Sequence, residues 1–94
     1  MKDLSIIQEV YDVILDRKEN PKESSYVCSL LEDENKILKK VSEESGELIV
    51  AAKCGNKDEI IHESADLIFH TLVLMASKGV SLEDLSNELR KRRK

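Results

Sequence analysis

The stretch KILKKVSEESGELIVAAKCGNKDEIIHESADLIFH, residues 36–70, decides how this chain is read. It holds two helical patterns separated by the short turn CGNKDE, and both carry carboxylates on the side where a plain helical bundle would carry leucine. On a helical wheel at about 100° per residue, Ile37, Leu38, Val41, Leu48, Ile49 and Ala52 fill one apolar sector. Glu44 falls inside that sector, in the row Ile37, Val41, Glu44, Leu48. Glu47 and Lys40 sit on its edge, with Glu43 and Lys36 just beyond.

The second pattern is apolar in most directions from Ile60 to Met75, which predicts a helix central in its bundle. Its polar residues, Glu63, Asp66 and His70, share one face at i, i+3 and i+7. Burying isolated carboxylates costs several kcal/mol unless a cation compensates. The acidic strip therefore asks for a positive partner.

Working outward, Leu4, Ile7, Val10, Tyr11 and Ile14 give a first helix from about Asp3 to Arg17, broken by RKENP and Pro21. Ser24 or Ser25 can cap SYVCSLL, read as a short helix or turn and the least regular segment, with Tyr26 and Leu30 turned to the core. Asp33 or Asn35 can cap the long helix ending near Lys53, where Gly55 suits a left-handed terminus and Asn56 extends the turn. The next helix runs from about Lys57 to Lys78 and stops at Gly79. Ser81 with Asp84 resembles a capping box for a last helix striped with Leu82, Leu85 and Leu89. The expected fold is an all-α antiparallel bundle formed by residues 1–94 as one domain.

At 94 residues there is no room for a second core, and so much apolar surface favours self-association. A formal charge of −4 argues against a general nucleic-acid binder. Cys28 and Cys54 have neither CxxC spacing nor a disulfide framework and read as reduced thiols, consistent with a cytoplasmic location. The start MKDLSIIQEVYDVILD lacks a signal-peptide core, and the apolar run from Ala65 to Ala76 is short for a bilayer span. No membrane partner is expected.

Glu43, Glu44, Glu47, Glu63 and Asp66 form an oxygen-only set suited to a hard cation such as Mg²⁺, with Mn²⁺ a possible substitute. Glu43 alone fits a solvated face equally well; Glu44, Glu63 and Asp66 border the core, where that reading is poor. A carboxylate-bridged di-iron bundle would need Glu-x-x-His pairs, whereas these helices carry Glu-x-x-Glu and Glu-x-x-Asp. His70 reads as a hydrogen-bonded residue behind the ligands and His62 as a surface residue. Lys36, Lys39 and Lys40, at i, i+3 and i+4, either pair weakly with helix acids or bind phosphate oxygens beside the metal. Arg17, Lys18 and the terminal RKRRK could add charge, although the tail reads as a frayed, solvated end. No Walker loop, dinucleotide-binding glycine motif or nucleophile–His pair is present.

The pattern EESGE followed by ESAD resembles the EExxE…ExxD signature of the MazG-like all-α nucleotide pyrophosphohydrolases. With SYVCSLL, KILKKVSEESGE, AAKCGNKDEII, ESADLIFHTLVL and the closing LRKRR, the chain is similar to the phosphoribosyl-ATP pyrophosphohydrolase family of histidine biosynthesis. Ser42 stands where that family commonly has Gly, and Ser45 and Ser64 where it has Ala, while every acidic position is intact. The sequence contains no fused cyclohydrolase domain and looks like the stand-alone form.

The resemblance implies hydrolysis of 1-(5-phosphoribosyl)-ATP to 1-(5-phosphoribosyl)-AMP and pyrophosphate, with helices shared across a homodimer or larger homo-oligomer. It fits Glu44, Glu47, Glu63 and Asp66 as Mg²⁺ ligands, with Glu43 and Glu44 in the catalytic centre. Lys36, Lys39 and Lys40 would bind the phosphates, and Tyr26 would pack beside base or ribose. Two readings compete: a house-cleaning pyrophosphatase of ordinary or damaged nucleoside triphosphates, and a non-enzymatic dimeric module whose acids only mediate pairing.

Overall fold

Asp33 ends the loop before the longest paired elements by accepting a hydrogen bond from the Lys36 backbone N–H, which starts α3, Glu34–Cys54. Gly55 ends that helix in the left-handed region (φ 73°), a conformation cheap only for glycine. Asn56 then caps α4, Lys57–Ser77, by accepting from the Glu59 N–H. Asn56 thus starts a helix rather than lengthening the turn, and the reversal between α3 and α4 takes only these two residues.

The computed structural model describes residues 3–94 and is all-α, with no strand among the described residues. Besides α3 and α4 it has α1 (Ser5–Glu19), α2 (Tyr26–Leu31) and α5 (Leu82–Arg92). The first helix begins two residues later than its apolar spacing suggests, and Leu4 is its exposed N-cap. It also runs on past Arg17 to Glu19, because Pro21, not the charges before it, sets the limit. The segment expected to be least regular is a well-formed helix: the Ser25 side chain accepts from the Cys28 N–H. The capping box at α5 is complete in both directions between Ser81 and Asp84.

The core gathers Tyr11 and Ile14 from α1, Leu30 from α2, Ile37 from α3, and Leu72, Val73 and Ala76 from α4. Helix α4 touches α1, α2 and α3, so the element that is apolar on most sides is central, as its pattern demands. Two polar ties lock α1 to the end of α4. The Tyr11 hydroxyl donates to the Val80 carbonyl, and Lys18 Nζ donates to the Ala76 carbonyl at 2.9 Å. Burial, with the nearby Asp84 charge second, raises the Tyr11 phenol above its ordinary value.

Not all of the expected apolar sector is covered. Ile37 is buried and Val41 and Leu48 are half-buried, but Leu38, Ile49 and Ala52 are exposed, together with Val50. One chain has too few helices to cover a sector that wide. Tyr26 is likewise not a core residue: it is 45% exposed, while its neighbour Leu30 is fully buried. Helix α4 is 21 residues long, as expected from Lys57 to about Lys78, and by length and composition alone it could cross a membrane. Here it carries Glu63, Asp66 and His70 within the bundle.

Candidate active site

The antiparallel α3–α4 pair sets residues of the two acidic patterns opposite each other. Glu44 meets His70, with Nδ1 2.5 Å from Glu44 Oε1. One turn further along α3, Glu47 stands close enough to Glu63 to raise its carboxyl, and both line one cleft. Asp66 lies between these levels and acts electrostatically on both Glu44 and Glu63. Glu44, Glu63 and His70 are buried, and Asp66 is half-buried.

These carboxylates burden one another. A hydrogen bond with Glu47 is the main reason the Glu63 carboxyl is raised to about 7, with burial and the Glu47 charge adding to it. Burial is also the main cause that raises Glu44, and Asp66 reinforces it, while His70 and Lys40 pull the other way. Despite the close approach of His70, the ring N–H is aligned on the Asp66 backbone carbonyl at 2.9 Å. Glu44 Oε1 is left buried without an aligned hydrogen bond.

His62, read from the sequence as a plain surface residue, is exposed but belongs to the cluster. Its Nε2 lies 3.3 Å from Asp66 Oδ2 and 3.8 Å from Glu63 Oε1. The i, i+4 spacing of His62 and Asp66 was the signal that could have found it. Beside the Glu47–Glu63 pair opens a cleft of about 660 Å³, reached by Glu43, Glu59, Asn56 and Cys54. Glu59, Asn56 and Cys54 were not anticipated there, because the cleft exists only once the two helices are folded against each other. Exposed Glu43 stands at its rim.

The lysines separate. Lys40 is half-buried and close enough for its charge to act on Glu44. Lys36 donates to Ser29 Oγ at 3.1 Å and sits 5.8 Å above the Tyr26 ring. Lys39 is exposed, and no ion pair or hydrogen bond joins it to the acids among the described residues. Tyr26 stacks near Phe69, with centroids 6.5 Å apart, and its hydroxyl is 2.8 Å from His70 Nε2. The tyrosine expected beside a nucleotide base is therefore engaged with the histidine behind Glu44.

Among the described residues only His62, Glu63 and Asp66 form a trio with ligand atoms all within 4.8 Å of one another, while Glu44 and Glu47 stand across from them on α3 and Glu44 Oε1 lacks a hydrogen-bond partner. Comparisons with known proteins identify the family. Residues 7–93 match the family described as phosphoribosyl-ATP pyrophosphohydrolase. A phosphoribosyl-ATP pyrophosphatase of Clostridium novyi is 58% identical over 95 residues, covering 100% of this chain and 86% of that protein. One from Methanococcoides burtonii is 52% identical, covering 97% of this chain and 95% of that protein. The histidine biosynthesis bifunctional protein HisIE of Thermoanaerobacter pseudethanolicus is 54% identical over 84 residues, which are 88% of this chain and 39% of that longer protein. With its acidic helix pair and a match along nearly its whole length, the chain belongs to the phosphoribosyl-ATP pyrophosphohydrolase family.

Proposed function

We propose that this chain hydrolyses 1-(5-phosphoribosyl)-ATP to 1-(5-phosphoribosyl)-AMP and pyrophosphate, an early step of L-histidine biosynthesis. The observation that carries the reading is the burial of Glu44 on α3 and Glu63 on α4, with half-buried Asp66 and exposed Glu47 beside them, in a chain of this family. Glu44, Glu47, Glu63 and Asp66 would hold Mg²⁺, or Mn²⁺ in its place. The fit is supported by the orphaned Glu44 oxygen and by the raised Glu63 carboxyl, which Glu47 and burial push up. When bound, the metal neutralises triphosphate charge and favours ionisation of the attacking water.

The protein's own groups do the rest. The acids fix where the triphosphate can sit, and the cleft beside Glu47 and Glu63 gives it a way in. Glu43, at the rim, takes a proton from the water as the bond between the α- and β-phosphates breaks in line with the attack. The leaving pyrophosphate departs as the water's hydroxyl joins phosphorus. Lys40 stabilises the phosphate oxygens, Lys36 reaches them from beside Tyr26, and exposed Lys39 contributes from the outer side.

A substrate panel tests the reading: phosphoribosyl-ATP, ATP, dCTP and dUTP, each with magnesium, followed by pyrophosphate release. Phosphoribosyl-ATP is expected to have the highest kcat/KM. A higher value for dCTP or dUTP would make the chain a house-cleaning pyrophosphatase. Absence of turnover on all four, with no stabilisation by magnesium, would leave a helical interaction module.

The working form is a homodimer or larger homo-oligomer with helices shared between copies. Leu4, Ile6 and Val13 on α1 and Ile68 on α4 are exposed, and apolar grooves run between these two helices. A second copy is the occupant this face fits, since α3 packs on another side of α4 and the shorter helices leave it uncovered. Sedimentation giving a stable monomer at micromolar concentration would refute it. A reducing, cytoplasmic setting suits the two free thiols, Cys28 and Cys54.

A further inference from the structure

Helix α2 has no part in the acidic set, yet it places one side chain against it. Tyr26 opens the helix, and its hydroxyl is 2.8 Å from His70 Nε2. On the other side of the ring, Nδ1 faces the Asp66 backbone carbonyl at 2.9 Å and Glu44 Oε1 at 2.5 Å. A backbone carbonyl can only accept, so Nδ1 must carry the hydrogen. In the neutral ring Nε2 then has a lone pair, and the Tyr26 O–H is the donor that satisfies it.

The tyrosine is itself held. Ser29 Oγ donates to the Tyr26 carbonyl at 2.7 Å, and Lys36 Nζ donates to that same Ser29 oxygen. The His70 ring is boxed by edge contacts to Phe69 and Tyr26, with centroids 5.1 and 5.8 Å away. Every degree of freedom of the imidazole is thus set from α2 and α4, and the face it presents is the one against Glu44.

We propose that Tyr26 is a positioning residue: through His70 it fixes the side chain of Glu44 in its orientation beside Asp66. The inference rests on the reading of those acids as a metal site. Groups that orient a ligand from behind typically change metal affinity by about 10- to 100-fold when removed. It also gives the SYVCSLL segment a task that base or ribose packing does not require.

The test is Tyr26→Phe in the full chain, because phenylalanine keeps the Phe69 and His70 ring contacts and removes only the hydroxyl. Mn²⁺ affinity is measured on the metal-free protein with no nucleotide present, alongside the ¹⁵N signals of the His70 ring. The expected result is affinity weaker by about tenfold or more, with the wild-type ring protonated at Nδ1 and the variant losing that single tautomer. A tyrosine that served only to contact substrate would instead raise KM and leave Mn²⁺ affinity unchanged. Mn²⁺ affinity within twofold of wild type, or an unchanged His70 spectrum, overturns the proposal. If wild type binds no Mn²⁺, the metal reading fails, and the His70 spectrum alone then decides whether Tyr26 orients the ring.

Discussion

Replacing Glu44 by Gln should invert the stability order of two proteins according to whether magnesium is present. Glu44 Oε1 is buried without an aligned hydrogen bond, and Asp66 repels its charge. An unsatisfied buried polar group costs about 1–3 kcal/mol, and a charged one more. The amide keeps the size of the side chain, removes the charge and lets its N–H₂ donate towards Asp66. His70 loses no partner it depends on, since the Asp66 carbonyl and the Tyr26 hydroxyl remain.

Opposing this is the lost attraction to half-buried Lys40, worth under about 1 kcal/mol for a partly solvated pair. The net expectation is a gain of about 1 kcal/mol, or about 4–8 °C in Tm for a domain of this size. Magnesium reverses the order. At ten times its dissociation constant it stabilises wild type by about 1.4 kcal/mol, and the variant, short of one charged ligand, gains little. Calorimetry at one protomer concentration near pH 8, in EDTA and in magnesium, reads both shifts, and turnover of the variant should be lost. A variant that melts below wild type in EDTA, or gains as much from magnesium, refutes the reasoning.

Lys40→Met should lower kcat/KM by about 10- to 100-fold, the loss of a charge-assisted phosphate contact of about 1.5–3 kcal/mol. Lys39→Met should fall well short of that; equal kinetics for both variants and wild type, with magnesium saturating, would return both lysines to the surface. Glu63 holds its proton up to about 7 when folded against an ordinary 4.5, so its contribution to metal-free stability is complete below about 4.5 and lost as pH rises through about 7. Denaturant midpoints from pH 4.5 to 8 in EDTA should show that decline, and Glu63→Gln should flatten it. Tyr11→Phe should cost about 1 kcal/mol by urea titration, because the Val80 carbonyl loses its donor, with kcat unaffected.

Much of the hairpin that carries the site was legible because its signals are local. The wheel position of Glu44 among Ile37, Val41 and Leu48 implied burial, and Glu44 is buried. Gly55 after Cys54, and Ser81 three residues before Asp84, are helix-end chemistry that needs no tertiary information. What stayed hidden depends on relations between helices. The half-exposed placement of Tyr26 is set by how α2 crosses α4, which no periodicity encodes. The exposure of Leu38, Ile49 and Val50 reflects how many helices one chain can supply, whereas a wheel counts only apolar residues. His62 is at the surface as its spacing implied, but its contact with its own helix's acid one turn away went unread.

The two-residue reversal at Gly55 and Asn56 also bears on the order in which the chain acquires structure. Every acid from Glu44 to Asp66 lies on the one hairpin it closes, so their contacts span short loops and carry little closure entropy. That favours early pairing, yet pairing is the step that crowds the carboxylates together. Divalent cations would then act on the barrier itself: in a chevron they should speed folding more than they slow unfolding. Helix α1 must reach across from the far end of the sequence to find α4 and would dock afterwards, onto a hairpin already closed.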